Sequence, residues 1–243
     1  MAAAIAIIQA RLGSSRLPGK SALPLPLSAV GSAQTLLGHV VNRARRAALV
    51  EEVIVATTTQ PLDDELVHLA ERLEVKVFRG DEQDVLSRFA GALAQAAPVA
   101  AVVRLTADNP AIDPQYLDRA VAHHLATEAD YTYTIGLPLG TNLEIISPNA
   151  LRHAYQEAQQ PDEREHVTPY LRRHSQLFRL ETLAFTLPPA VAALRLTVDY
   201  ASDYALLSLL YDMLGVHFTL SDLPALLVQY PWLAEVNASN VQR

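Results

Sequence analysis

The chain contains no cysteine. That absence excludes a disulfide framework, a thiolate zinc site and a cysteine nucleophile, whatever the compartment. Long hydrophobic runs are missing as well: no stretch approaches the roughly 20 apolar residues that span a bilayer. The apolar opening "MAAAIAIIQARLG" has no basic residue ahead of its short run, so the expectation is a cytoplasmic protein without membrane contact. Positive charge is in deficit. With 19 Lys and Arg against 26 Asp and Glu, the formal net charge is -7 and the pI is near 5.6. Phosphate backbones select for a basic face, so nucleic acid is not an expected partner, and any phosphate binding has to be local to a loop. Repeats, low-complexity tracts and Gly-, Ser- or Pro-rich linkers are absent too. The 243 residues, half of them apolar, read as one domain over 1–243 with one large core.

What is present is an alternation of apolar β-rich runs and amphipathic stretches. Ala4 to Gln9 predicts a strand. From Thr35 to Leu49, Leu36, Leu37, Val40, Val41, Ala44 and Ala48 recur at helical spacing, while Asn42, Arg43, Arg45 and Arg46 fill the other face. "EVIVATTT", "VKVFRG" and "VAAVVRLT" predict three more strands, with "TQPLDDELVHLAERL" and "DEQDVLSRFAGALAQAA" as helices between them. The last of these strands is apolar until Arg104, as suits a parallel strand covered on both faces. This order predicts an open, doubly wound sheet with right-handed crossovers and ligands at the strands' carboxyl ends.

The second half is less regular. "PQYLDRAVAHHLA" and "PNALRHAYQEA" predict helices, the latter with Pro148 at its start, and "DYTYTIG" and "NLEIIS" predict strands. "EREHVTPYLRRH" predicts a helix in which Pro169 sits in the first turns or makes a kink. "LRLTVD" predicts a further buried strand, and Ser202 is placed to cap the long helix in "YASDYALLSLLYDML".

The stretch "ARLGSSRLPGKSALPLP" superficially resembles a phosphate-binding P-loop. A P-loop has four residues between its first Gly and Gly-Lys-Ser, and its nest of N–H groups leads directly into a helix. Here five residues separate Gly13 from Gly19, and Pro24 and Pro26 follow where that helix would run. The P-loop reading fails on both counts. A Gly-Ser loop at a strand end still offers backbone N–H donors, and Arg11, Arg16 and Lys20 offer three cations for a triphosphate.

The same residues carry a resemblance. "IIQARLGSSRLPGK" is similar to the N-terminal signature of the cytidylyltransferases that make CMP-activated acidic sugars. The closest type is that of spore-coat polysaccharide biosynthesis, related to CMP-Kdo and acylneuraminate (CMP-sialic acid) synthetases. The similarity continues in the family's order through "VEEVIVATTTQPLDD", "VKVFRGDEQDVLSRF", "VVRLTADNPAID", "EREHVTPYLRR" and "RLTVDYASDYALL". It implies the nucleotide-diphosphosugar transferase fold, a three-layer α/β/α sandwich around a Rossmann-like mixed sheet. A nucleotide-binding half over 1–110 and an acceptor-binding and dimerisation half over 111–243 are expected with it, in a homodimer. The implied activity is transfer of CMP from CTP to an acidic sugar acceptor with release of pyrophosphate, dependent on Mg²⁺.

Such a reaction sets a sugar hydroxyl against the α-phosphorus of CTP, so negative charge must be held on both sides of an in-line displacement. By the resemblance Asp108 and Asp199, each following an apolar run, are the metal ligands, and hard oxygens of this kind suit Mg²⁺. Arg11, Lys20 and Asp108 are the expected catalytic residues. Ala10, Leu12, Gly13, Ser14, Ser15, Arg16, Thr57 and Arg104 join Arg11 and Lys20 at the nucleotide, although Arg104 equally suits a strand-end salt bridge. Glu144, Arg164, Glu165 and His166 are expected on the acceptor side, with His166 as an acceptor contact or structural hydrogen bond before a base.

Departures from the family pattern fall in two places. Ala107 stands where relatives usually carry Gly, and Leu139 and Asn142 in "LGTNLE" replace carboxylates expected near acceptor or metal. Two other readings stay open at this point: a glycosyltransferase of similar fold, disfavoured by the lack of an Asp-x-Asp motif at a strand end, and a non-catalytic nucleotide-binding homologue.

Overall fold

The computed structural model describes residues 2–29 and 34–240. The first half follows the predicted alternation: β1 (Ala2–Gln9), α1 (Leu36–Arg46), β2 (Val50–Thr58), α2 (Asp64–Arg72), β3 (Lys76–Gly80), α3 (Val85–Gln95) and β4 (Val99–Thr106). Side chains next to the helices explain where they start. Thr35 accepts the N–H of Gly38 at the head of α1, and Asp84 accepts that of Ser87 at the head of α3. The second half contains α4 (Pro114–Ala126), β5 (Tyr131–Ile135), β6 (Glu144–Ile146), α5 (Pro148–Glu157), α6 (Pro161–His166), α7 (Pro169–Arg173), β7 (Leu180–Ala184), α8 (Pro189–Ala192), α9 (Ala201–Leu214) and α10 (Leu223–Gln229). Asp113 and Ser147 cap α4 and α5 in the same way, and Pro148 is at the start of α5 as expected.

The sheet has seven strands in the order β3-β2-β1-β4-β6-β5-β7. β3, β2, β1 and β4 run parallel, β6 is antiparallel to both β4 and β5, and β7 is parallel to β5. The α/β class and the mixed sheet are therefore as expected. Alternation along β1 decides the layers. Ala4, Ala6 and Ile8 pack with Leu37 and Val40 of α1, Leu66 of α2 and Leu117 of α4, whereas Ile5 and Ile7 pack with Phe89 of α3, Leu151 of α5 and Leu171 of α7. Helices thus cover both faces, which is why β1 and β4 carry almost no polar residue. A third apolar cluster joins Leu25, Leu36, Leu196 and Val198 to Leu206 and Leu210 of α9. Among the described residues no helix is long and apolar enough to cross a membrane.

Three local expectations are corrected. "LRLTVD" is buried and extended but is not a strand of the sheet; its sole bridge joins Arg195 to Leu139. β7, which carries a parallel edge, lies instead in "LETLA". "EREHVTPYLRRH" is not one helix: Val167, at φ 71 and ψ -51, separates α6 from α7, and Thr168 N–H donates to the carbonyl of His166 at 2.8 Å. That is a γ-turn of the rarer, strained hand, and Pro169 opens the second helix instead of kinking a continuous one. Finally, Asp203 rather than Ser202 takes the capping role at α9, accepting the backbone N–H groups of Asp199 and Tyr200 at 2.9 Å each.

Candidate active site

The chain leaves β1, passes out to β2 and β3, and returns on the other side of β1 as β4. A crevice opens at such a reversal, outside the carboxyl ends of β1 and β4. The loop from Ala10 to Lys20 covers it. Ala10 N–H donates to the carbonyl of Ala56, and the carbonyl of Leu12 accepts from both Ser14 and Gly19, which folds the loop back on itself. Gly19 has φ +71 with no heavy atom within 4 Å of where a Cβ would stand, so its glycine answers to backbone conformation and not to space. Behind the loop, buried Asp63 accepts Leu12 N–H at 2.7 Å and the hydroxyl of Thr58. A 3₁₀ turn over Lys20–Ala22 follows, not the long helix of a P-loop.

Lys20 is the centre of the arrangement. Its ammonium donates to Asp108 Oδ2 at 2.8 Å, to Asp199 Oδ1 at 3.0 Å and to the carbonyl of Val198 at 2.7 Å. All three of its donors are used. Asp108 follows β4 and also accepts from Thr106 Oγ1 at 2.5 Å. Asp199 reaches the same place by another route: the extended segment carrying it is tied to the carbonyl of Asp108 by Val198 N–H and to Leu139 by backbone bonds. Arg16 donates to Asp199 Oδ1 and Arg195 to its Oδ2, both at 2.7 Å, while Arg195 also holds Asp203 at 2.9 Å. A hydrogen bond with Tyr200, reinforced by the charge of Asp199, raises Arg16 above the usual arginine range.

The cavity beside this cluster is about 400 Å³. Of the expected nucleotide residues, Ala10, Arg11, Gly13, Ser14, Ser15, Arg16 and Lys20 line it, as do Asp108, Asp199, Glu165 and His166. Leu12 is buried behind the loop and Thr57 inside the sheet; neither is among the lining residues. Arg104 is not a lining residue either. It forms the salt bridge to Glu144 at 2.5 Å and donates to Gln9 at 3.2 Å. Glu144 is likewise set back, with its carboxylate taking Arg104, Tyr131 Oη and Thr168 Oγ1. Burial opposes ionisation of Glu144, but Arg104 and these hydrogen bonds outweigh it and hold the carboxyl below its ordinary range. Burial, then the Glu144 charge, drives Tyr131 the other way, well above a free phenol. Arg164 pairs with Asp84 at 3.2 Å and donates to the carbonyl of Tyr155, joining α6 to α3 and α5.

The strained corner at Val167 has a positional consequence. Thr168, immediately after it, is anchored on Glu144, while Glu165 and His166, just before it, are exposed and face the cavity. Leu139 and Asn142, the departures from the family pattern, have local tasks. Leu139 makes the backbone bridge to Arg195, and Asn142 donates to the carbonyls of Leu137 and Pro138. Neither is a lining residue of the cavity.

Sequence reasoning missed several residues that the fold brings here, among them Gln9, Arg88 and Asp63. Arg88 is 1% exposed, donates from Nη1 to the carbonyls of Asp81 and Glu82, and lines the cavity with its Nε unpartnered. Burial, then the nearby Arg11, lowers its pKa. The signal was a charged residue three positions after Val85 on an apolar helix face.

Among the described residues no three His, Asp or Glu side chains are grouped to hold an ion by themselves. The pair Asp108 and Asp199 nevertheless fits Mg²⁺, which takes one or two carboxylates and completes its shell with water and substrate phosphates. Their oxygens already converge on one cation, the Lys20 ammonium.

Comparison with known proteins agrees with this geometry. The spore coat polysaccharide biosynthesis protein SpsF of Bacillus subtilis is 36% identical over 214 residues, covering 86% of each chain. The 3-deoxy-manno-octulosonate cytidylyltransferase of Yersinia enterocolitica is 32% identical over 152 residues, 61% of this chain and 56% of that protein. The solved structure of a cytidylyltransferase from Leptospira borgpetersenii superposes with a TM-score of 0.86 at 28% identity over the whole of both chains. With residues 5–208 matching the cytidylyltransferase family as well, a basic glycine-serine loop at the switch point and two carboxylates joined by Lys20 have relatives of one kind, and the chain belongs to the cytidylyltransferase family.

Proposed function

We propose that this protein transfers CMP from CTP to an acidic sugar and releases pyrophosphate, as a Mg²⁺-dependent, cytoplasmic homodimer serving surface polysaccharide synthesis. The observation that carries the reading is the convergence of Lys20, Asp108 and Asp199 under a glycine-serine loop that also presents Arg11 and Arg16.

In the reaction a sugar hydroxyl oxygen forms a bond to the α-phosphorus, the bond from that phosphorus to the bridging oxygen of pyrophosphate breaks, and the hydroxyl proton leaves. Asp108 and Asp199 would hold the metal, whose charge offsets that of the phosphates. The chain's own groups do the rest. The backbone N–H groups of Gly13 and Ser15 and the guanidiniums of Arg11, Arg16 and Arg88 present donors to the phosphates, the Ser14 N–H being held by the Leu12 carbonyl. Lys20 keeps the two carboxylates together before substrate arrives; to touch a phosphate it must exchange one of its three present acceptors. Glu165 and His166 line the same cavity and are the acceptor-side residues in this reading, His166 as an acceptor contact before a base.

Pyrophosphate release should be followed with CTP, Mg²⁺ and a panel of 2-keto sugar acids, with ATP, GTP and UTP in parallel and with Asp108→Ala as a control. Release that needs CTP, one acceptor and the divalent ion, and that disappears in Asp108→Ala, is the expected result. CTP binding without turnover on every acceptor would sink the catalytic reading, and elution as a monomer would sink the homodimer.

A further inference from the structure

The buried and half-buried arginines at the core divide into two groups. Arg195 and Arg104 answer to carboxylates, Asp199 and Asp203 in the first case and Glu144 in the second. Arg88 and Arg43, each 1% exposed, have carbonyl or phenol partners instead, and each keeps one nitrogen unpartnered, Nε in Arg88 and Nη2 in Arg43. The charges of Asp63, Asp81 and Asp84 favour the Arg88 guanidinium, whereas the hydrogen-bond partners of Arg43 are neutral, and a buried guanidinium paired with neutral groups is costly unless something anionic comes to it. Arg88 lines the catalytic cavity; Arg43 lines a different one, of about 280 Å³, between α1 and the turn after α9.

This second cavity lies away from the first. β2 re-enters the sheet with Val50 paired to Ala4, near the beginning of β1, so the last turns of α1 sit toward the amino edge of the sheet and not at the strand ends that hold the anion loop. Arg43 is fixed there. Its Nε donates to Tyr211 Oη at 2.9 Å, its Nη1 to the carbonyl of Ile112 at 3.2 Å, and its guanidinium lies 4.4 Å from the centre of the Phe218 ring. Arg46, one turn on and exposed, lines the same cavity beside Asn42 and His217, and among the described residues no carboxylate does.

We propose that this cavity is a second anion site, distinct from the catalytic one, that takes the phosphate group of a small molecule. Two guanidiniums without an acid among them match a dianion, and a phosphate near neutral pH carries about -1.5 to -2. Carboxylates, with one charge, leave half of the positive charge unanswered. At about 280 Å³ the space holds free phosphate or a small phosphomonoester. His39, at the back of the cavity, stays neutral because burial lowers its pKa to about 4, so it adds no third charge.

The test is calorimetric titration of the full-length protein with inorganic phosphate and, separately, methyl phosphate, without nucleotide or metal. The wild type, Arg46→Ala, Arg43→Lys and Arg11→Ala are compared, because the catalytic loop also attracts phosphate. Saturable binding that weakens about tenfold in Arg46→Ala and persists in Arg11→Ala is expected. Binding that vanishes in Arg11→Ala and is untouched in Arg46→Ala overturns the proposal, as does the absence of any saturable phosphate binding in the wild type. Arg46 is exposed, so its variant decides the matter even where Arg43→Lys does not fold. Stronger binding of the free ion or of the ester then assigns the source.

Discussion

The ammonium of Lys20 and the carboxylate of Asp108 meet at 2.8 Å across 88 residues of sequence, and Asp199 joins them at 3.0 Å. This contact ties the loop from Ala10 to Lys20 to the end of β4. Removing the lysine leaves two carboxylates side by side with less to neutralise them. Lys20→Met is expected to destabilise the fold by about 3 kcal/mol, measured by urea unfolding, since breaking a buried pair strands the remaining charge. Nucleotide turnover should fall at least about a hundredfold. Unchanged stability would mean that Arg16 and Arg195 alone suffice for Asp199.

Asp63 holds the loop from behind, through Leu12 N–H and the hydroxyl of Thr58. Asp63→Ala leaves a buried N–H without an acceptor and is expected to cost about 2 kcal/mol. Asp63→Asn, which keeps an acceptor oxygen, should cost less and should retain nucleotide affinity better. Equal losses in the two variants, read by chemical unfolding and nucleotide titration, would contradict this role.

His39 and His124 are both buried, and burial lowers each pKa from 6.5 to about 4. In the unfolded chain they take up protons at about pH 6.5, in the native state only near 4, so the unfolded state binds more protons between those values. Stability therefore stands in full above pH 6.5 and declines as the pH falls toward 4, by at most roughly 3 kcal/mol per histidine. Unfolding free energies measured from pH 7.5 to 4.5 should show this slope, and His124→Gln should flatten it. A wild-type profile flat to pH 5 would be incompatible with neutral buried imidazoles.

Glu144 titrates in the opposite sense to Tyr131, with a carboxyl held below 4.5. Its contribution is present above the unfolded glutamate value and is lost as the pH falls through the lower folded one. Glu144→Gln is expected to cost about 3 kcal/mol at pH 7, because Arg104 loses its counter-charge, and the gap to wild type should close as the pH falls through the lowered folded value. Since Thr168 is anchored on the same carboxylate, the apparent affinity for acceptor should drop more than that for nucleotide. A gap that stays constant with pH would show that the charge of Glu144 does not matter.

Much of the frame was legible because it depends on local pattern. The apolar runs and their caps located β1 to β4 and the helices between them, and the basic Gly-Ser segment located a loop that lines the cavity at the strand ends. Both Asp108 and Asp199 were identified through family resemblance, but the reason offered for Asp199 was a strand end, and it stands instead on an extended segment bridged to Leu139. Arg88 went unnoticed because one buried arginine in an apolar stripe looks like a solvated position until its helix is placed over the crevice. Glu144 was expected at the acceptor and Arg104 either at the nucleotide or in a strand-end salt bridge; the two satisfy each other across β4 and β6, a pairing set by antiparallel register.

By itself the sequence determined the α/β alternation, the family and the basic glycine-serine loop that follows β1. The tertiary structure alone decided which charges spend themselves on one another and which are left for a ligand. Lys20, Asp108 and Asp199 are far apart in the chain, as are Arg43 and Tyr211, and no local periodicity encodes their meeting. Strand order brings them together, and burial then makes each charge either paired or available.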